Sequence, residues 1–268
     1  MDILTRRRRK DLETLHVARS SREAEASPDL SWRGLYRAGS VSAALYVVLI
    51  IVPLVLIFTT PQPPISGGAA TLQYIASHKF VYLTELVSFV GLSVPAMVVF
   101  LALYAALKHL NKSYAALGAL LGIASEVAAL TYNSSPQSLN SGLLYLSDQY
   151  MAATTAAQRI ALATAAEGLI ALANAVAAAG ILTAIGILII SLVMLKGIFH
   201  KGVAYLGIVT GVLGIISEPL RPILGLGYAV YGLLLPIWFI AVGWKLYRLG
   251  SSSSHARMAK KLEARAAS

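Results

Sequence analysis

VYLTELVSFVGLSVPAMVVFLALYAAL, residues 81–107, runs straight into KHLNK at 108–112, and this pair of segments decides the fold. The first stretch holds one charged residue, Glu85. As a helix rising ~1.5 Å per residue it is about 40 Å long, more than the ~30 Å hydrocarbon core of a bilayer. Within that core a chain must satisfy its own backbone, which a helix does unaided. The basic turn that follows marks an end facing the cytoplasm, where Lys and Arg accumulate.

Working outward with the same criterion, further spans fall at 38–60, 113–133, 178–198, 202–220 and 226–247. The expected fold is therefore all-α, a polytopic bundle of six transmembrane helices. Composition agrees. Of 268 residues, 57% are hydrophobic and 13% charged, with a mean hydropathy of +0.71, whereas soluble domains carry roughly 25% charged residues. Ionisable groups are costly in hydrocarbon, which accounts for the deficit.

The Lys and Arg residues fix the orientation. Nine lie in residues 1–37, two in 108–112, two in 196–201 and six from 245 onward, leaving only Lys79, Arg159 and Arg221 on the other side. The positive-inside rule then places both termini in the cytoplasm of a multi-pass cell-membrane protein. Residues 1–37 read as a basic, largely disordered cytoplasmic tail, with room for a short helix near 8–25, and residues 248–268 as a second basic tail. The net charge of +10 suits anionic lipids beside these tails and gives no indication of nucleic acid. Neither an export signal nor a cleaved signal peptide fits, because the first apolar run starts about thirty residues beyond the arginines and is too long.

Two outer loops remain, 61–80 and 134–177. The first opens PQPPISGG, which ends a helix, and continues as TLQYIASHKF, with room for a short amphipathic helix. The second passes through SSPQSLNSG and LLYLSDQYMAATTAAQRI into an Ala-rich stretch too long for one span. The preferred reading is an interfacial helix joined to the fourth span near Gly180; the alternative is a fourth helix that projects outside.

Pro53, Pro95 and Pro236 lie inside spans, where they serve as hinges or as the ordinary prolines of membrane helices. Small residues recur at four-residue spacing: Gly118 and Gly122, Gly207 and Gly211, then Ala175, Ala179 and Gly186. Such residues let helices approach closely inside the bundle or in a homo-oligomer. Trp32, Tyr36, Tyr82, Trp244 and Tyr247 suit an interfacial belt, and Trp238 suits the bundle interior.

Chemistry rests on acids. Glu85, Glu126, Glu167 and Glu218 sit in or beside apolar helices, all in the outer half, with Glu126 deepest. A carboxylate at that depth needs a partner, water or a proton. The functional reading is an outward-facing acidic pocket of Glu85, Glu126, Glu218 and Arg221, edged by Asn133 and Asn174, that binds a cation, an amine or a lipid headgroup. The structural reading pairs Glu218 with Arg221 and lets the other acids reach the interface. A third reading makes Glu126 the coupling carboxylate of a small secondary transporter.

No catalytic constellation is present. There are no cysteines, no HExxH zinc pattern, no GxSxG and no phosphate loop. His109 and His200 lie beside lysines in cytoplasmic turns and do not suggest a haem. No cofactor is expected, and partners beyond lipid would be a small ligand, a second copy or a membrane-complex subunit.

Two segments resemble a known family. YRAGSVSAALYVVLIIVPL opens the first span, and MLKGIFHKGVAYLGIVTGVLGI (194–215) precedes a last helix ending WFIAVGWKLYRLG. Over residues 35–250 the chain resembles a prokaryotic family of six-helix integral membrane proteins catalogued as a domain of unknown function (number four-three-eight-six). The resemblance implies the six-helix fold and a prokaryotic origin, and implies no activity, substrate or catalytic residue.

Overall fold

Long apolar runs without strand-like alternation leave helix as the way to close the backbone, and every regular element among the described residues is helical. The computed structural model describes residues 29–61, 64, 66–132, 141–176, 179–197, 199–224 and 227–266. The expected tail helix near 8–25, and Asn133, lie outside them. A 3-10 turn, Leu30–Trp32, leads into α1 (Arg33–Thr59), α2 (Gly68–Ser77), α3 (Lys79–Leu107), α4 (Lys112–Tyr132) and α5 (Ser141–Ala152). Then follow α6 (Ala156–Val176), α7 (Ala179–Met194), α8 (Lys201–Leu224) and α9 (Tyr228–Ala266).

Six of these close a ring. α1 packs on α3, α3 on α4, α4 on α7, α7 on α8, α8 on α9 and α9 back on α1. Its interior is one apolar cluster in which Tyr46 stacks on Phe239 with ring centroids 3.8 Å apart and Trp238 is fully buried. The exterior is as apolar as the interior: Val41, Val48, Val55 and Phe58 of α1 are exposed, as are Val209 and Ile216 of α8. A helix apolar all round is built for lipid on its outer side.

Glycine permits the tightest crossings, because hydrocarbon supplies no hydrophobic force between helices and backbone proximity must substitute. A methyl group on Gly186 of α7 would stand 2.8 Å from the Gly118 carbonyl oxygen and 2.9 Å from the Gly122 nitrogen of α4. Gly211 of α8 approaches the Ala184 carbonyl of α7 in the same way. Gly118, Gly122, Gly186 and Gly211 thus serve packing inside the ring, whereas Ala175 falls on α6 of the cap and not on the fourth ring helix as expected.

Among the described residues, five helices are long and apolar enough to cross a membrane: Arg33–Leu56, Lys79–Leu107, Lys112–Leu130, Lys201–Leu220 and Tyr228–Ser251. The sixth ring member is shorter. The expected span 178–198 is helical only as α7, which stops at Met194 where Lys196 and Gly197 turn back on the Val193 and Met194 carbonyls. The first span, expected from 38, starts in a helix that begins at Arg33, and Tyr36 within the expected tail is fully buried. Its hydroxyl donates to the Asp29 and Ala105 carbonyls, tying the start of α1 to the end of α3. Tyr36 and Tyr82 are therefore core residues and not belt residues, while Trp244 and Tyr247 are exposed as a belt requires. At the other end of the chain, α9 runs unbroken into the expected tail.

The helices outside the ring form a second layer. α2, α5 and α6 pack on one another over a small core of Leu72, Ile75, Leu143, Ala166 and Ile170, with Tyr82 of α3 joining them to the ring. Ser147, fully buried there, donates to the Leu72 carbonyl at 2.7 Å. This three-helix cap sits at the end of the ring where α1 and α4 finish and α3 begins. α6 ends at Val176 and α7 starts at Ala179.

Candidate functional site

Each ring helix sends a polar or aromatic side chain to one level of the interior. Glu126 of α4 is 7% exposed and hydrogen-bonds the Ser93 hydroxyl of α3 and the Thr183 hydroxyl of α7. Thr183 also shares a hydrogen bond with the Ser125 hydroxyl, 2.6 Å away. Glu218 of α8, 6% exposed, accepts from the Tyr228 hydroxyl of α9 at 2.9 Å. Tyr46 of α1 completes the circle: both carboxylates, Tyr228 and Tyr231 are close enough to act electrostatically on its hydroxyl.

The surrounding groups suit the two acids differently. Glu218 lies against Gly180 in the first turn of α7, where a side chain on residue 180 would strike its carboxyl. With Tyr228 donating to it, Glu218 is engaged within the protein. Glu126 has hydroxyls for partners and no cation among the described residues. Hydroxyls compensate a buried charge less fully than an opposite charge does. Glu126 is thus the acid with capacity left for a ligand.

Tyrosine rings stand beside the same carboxylates. Tyr228 and Tyr231 meet edge-on at 5.7 Å, and Tyr46 stacks on Phe239. Carboxylates ringed by aromatic faces provide two attractions for an organic cation, Coulombic and cation–π. Among the described residues no group of three His, Cys, Asp or Glu could hold a metal ion.

The structure brings Glu126 and Glu218 together and leaves Glu85 apart. Glu85 is 5% exposed on α3, eight residues before Ser93 and so about 12 Å further toward the cap. It lies near Tyr74 of α2, whose phenol is pushed above its ordinary value first by burial and then by that carboxylate. Asn174 lies on α6 of the cap, and Arg221 falls on α8 one turn beyond Glu218. Glu126 and Glu218 are both nearly buried within the ring. Ser93, Thr183, Tyr46 and Tyr228 are the members that sequence reasoning misses. Single hydroxyls in apolar runs give no signal until the helix order around the ring is known.

Glu167, the remaining acid, is structural. Its Oε1 accepts from the Gly68 N–H at 2.6 Å, capping the first turn of α2 from α6. Removing a capping carboxylate costs about 0.5–2 kcal/mol. Glu167→Ala should therefore loosen the cap and leave the ring intact. Hydrogen exchange should speed up across Gly68–Ser77 and stay unchanged across Lys79–Leu107; equal acceleration in both would disprove the local role.

A surface cleft of about 320 Å³ lies in the cap, lined by Gln73, Ser77, Tyr150, Met151 and Arg159. It is remote from the ring carboxylates. No protein-family model matches the chain, and no curated protein or solved structure matches it either.

Proposed function

We propose that this chain is a six-span, non-enzymatic membrane protein that binds a small organic cation, of the amine or ammonium class, inside its helix ring. Glu126 supplies the charge, Ser93 and Thr183 orient that carboxyl, and Tyr46, Tyr228 and Tyr231 supply aromatic walls. The observation that carries the reading is the convergence of side chains from all six ring helices on two enclosed carboxylates. The resemblance of residues 194–215 to a six-helix membrane family supports the same architecture.

The topology belongs to this proposal. α7 spans about 24 Å at the helical rise, shorter than the ~30 Å core, a mismatch that local thinning and a snorkelling Lys196 can absorb. Six crossings then put both termini in the cytoplasm and the cap outside. The chain has no cysteines, so single cysteines report cleanly. Ser66→Cys in intact cells should react with a membrane-impermeant maleimide, and Lys112→Cys should react only after lysis. The reverse pattern would sink the orientation.

Binding is tested by thermal unfolding of the purified protein in nanodiscs with tetramethylammonium, ethylammonium or sodium chloride. A saturable rise in Tm with one organic cation, lost in Glu126→Gln, is the expected result. Identical responses in both proteins would refute the site.

A second reading has one observation in its favour. Pro95 lies two residues from Ser93 inside α3, so a helix that can bend adjoins the Glu126 carboxyl. If the site alternates between the two membrane faces, the protein is a secondary transporter. Proteoliposomes should then accumulate the bound ammonium ion down an imposed gradient, and binding without flux in the same liposomes would leave only the binder reading.

A further inference from the structure

The cleft in the cap is separate from the ring interior and has a chemistry of its own. Gln73 and Ser77 line it from α2, Tyr150 and Met151 from the end of α5, and Arg159 from the start of α6. A capping box holds the turn between α5 and α6. The Gln158 N–H donates to the Thr155 hydroxyl at 3.2 Å, and the Gln158 side-chain oxygen accepts from the Thr154 and Thr155 N–H groups at 3.2 and 3.3 Å. With those N–H groups engaged, attraction in the cleft falls to Arg159. Its Nη2 donates to the Ala153 carbonyl at 3.2 Å. That bond ties the guanidinium across the turn and leaves its other N–H donors open.

No acid competes for this arginine. Asp148 of α5 is committed to Lys79 at 2.8 Å, and α2 carries no charged side chain. Glu167 caps α2 from a point eight residues further along α6, about 12 Å from Arg159 at the helical rise. Residues 62–63, 65 and 133–140, outside the described set, include no acid in their sequence. Two uncharged donors line the same cleft. The Gln73 side-chain amide and the Tyr150 hydroxyl have no hydrogen bond among the described residues, whereas the Ser77 hydroxyl is turned back on the Gln73 carbonyl at 2.8 Å. The Tyr150 ring is half-buried against the cap core, so it offers a fixed apolar wall opposite the charge. At about 320 Å³ the cleft stands at the small end of ligand sites, which run from ~300 to ~1,000 Å³. A guanidinium fork matches the two oxygens of a carboxylate.

We propose that the cap cleft binds a small organic carboxylate, gripped by Arg159, with the Gln73 amide and Tyr150 hydroxyl as further donors and the Tyr150 ring and Met151 as apolar walls. It is independent of the cation site in the ring.

The chain has no cysteine, so Met151→Cys places a single reporter in the cleft. In nanodiscs, where both membrane faces meet solvent, its rate of modification by a water-soluble maleimide is measured against sodium benzoate, benzamide and sodium sulfate. Benzoate should slow the reaction saturably, and benzamide, of the same shape without the charge, should not. Adding Arg159→Gln should raise the half-protecting benzoate concentration about tenfold or more, since hydrogen bonds to a charged group are lost. Arg159→Lys keeps the charge without the fork and should recover part of the protection. Tyr150→Phe should weaken it about threefold. Arg159 and Met151 are exposed, so each variant should keep the reporter protein's Tm, which separates loss of the site from loss of fold. Glu126→Gln should leave protection unchanged, so a failure of the ring site would not touch this one. Absent protection, equal protection by benzamide, or protection undiminished by Arg159→Gln would overturn the proposal. So would protection by sulfate as strong as by benzoate, which would make the cleft a site for any anion.

Discussion

Gly186→Ala should strongly destabilise the ring. The added carbon would meet backbone on the opposite helix, the Gly118 carbonyl at 2.8 Å and the Gly122 nitrogen at 2.9 Å, and backbone cannot rotate aside as a side chain can. α4 and α7 would have to part by several tenths of an ångström, and the Glu126–Thr183 hydrogen bond crosses the same pair of helices. Overpacking of this kind costs about 1–3 kcal/mol. Gly34 and Gly232 provide the control, since a methyl at either meets nothing within 4 Å. Thermal unfolding in nanodiscs should show a clear drop in Tm for Gly186→Ala and little change for Gly232→Ala. Equal shifts would mean that α4 and α7 are not in contact as described.

The second large effect is on occupancy. Glu126→Gln keeps size and hydrogen-bonding capacity, so the amide can still meet Ser93 and Thr183. Its stability should stay within about 1 kcal/mol of wild type, because a buried charge without an ionic partner contributes little to folding and often opposes it. Binding should respond quite differently. Removing one member of a buried charge pair costs about 2–5 kcal/mol, so the affinity for an organic cation should fall by at least about thirtyfold. Glu126→Leu separates the roles further: it leaves two hydroxyls without their carboxyl, at about 1–3 kcal/mol for buried groups left unsatisfied, and should lose both binding and Tm. Glu218→Gln should lose stability more than binding, since Glu218 is engaged with Tyr228 and the start of α7.

What lipid demands of a sequence determines which parts of the fold are legible in it. The spans at 81–107 and 202–220 are plain because hydrocarbon admits almost no charge, and an apolar run of that length has little use outside a bilayer. The start of α1 is harder to place. Arg33 and Arg37 read as tail, yet both belong to the helix, their long side chains reaching the surface while Tyr36 between them packs inward. The shortness of α7 is also hidden, since Leu195 continues the apolar run and only the Lys196–Gly197 turn ends the helix. The cap is the least legible part. Its core residues Leu72 and Ile75, or Ala166 and Ile170, follow helical spacing over short segments, where an interfacial helix and a small helical domain give the same pattern.

The site is half legible. Glu126 stands out because an acid in an apolar run is costly wherever it ends up. Its companionship with Glu218, 92 positions later, depends on α7 and α9 closing the ring, which no local pattern encodes. Spacing along the chain offers Glu218 only Arg221 as a partner, whereas the Tyr228 hydroxyl reaches it from the next helix across the α8–α9 contact. Glu85 belongs with the others by its depth in the sequence, but its position about two turns of α3 from Ser93 assigns it to the neighbourhood of Tyr74 and the cap.

The most direct test of the central claim is native mass spectrometry of the wild type and Glu126→Gln released from nanodiscs. The wild type should carry a discrete small cationic mass that is missing from the variant at equal folded yield. A wild type that carries no such mass, or a variant that carries the same one, would contradict it and reduce Glu126 to a structural acid within the ring.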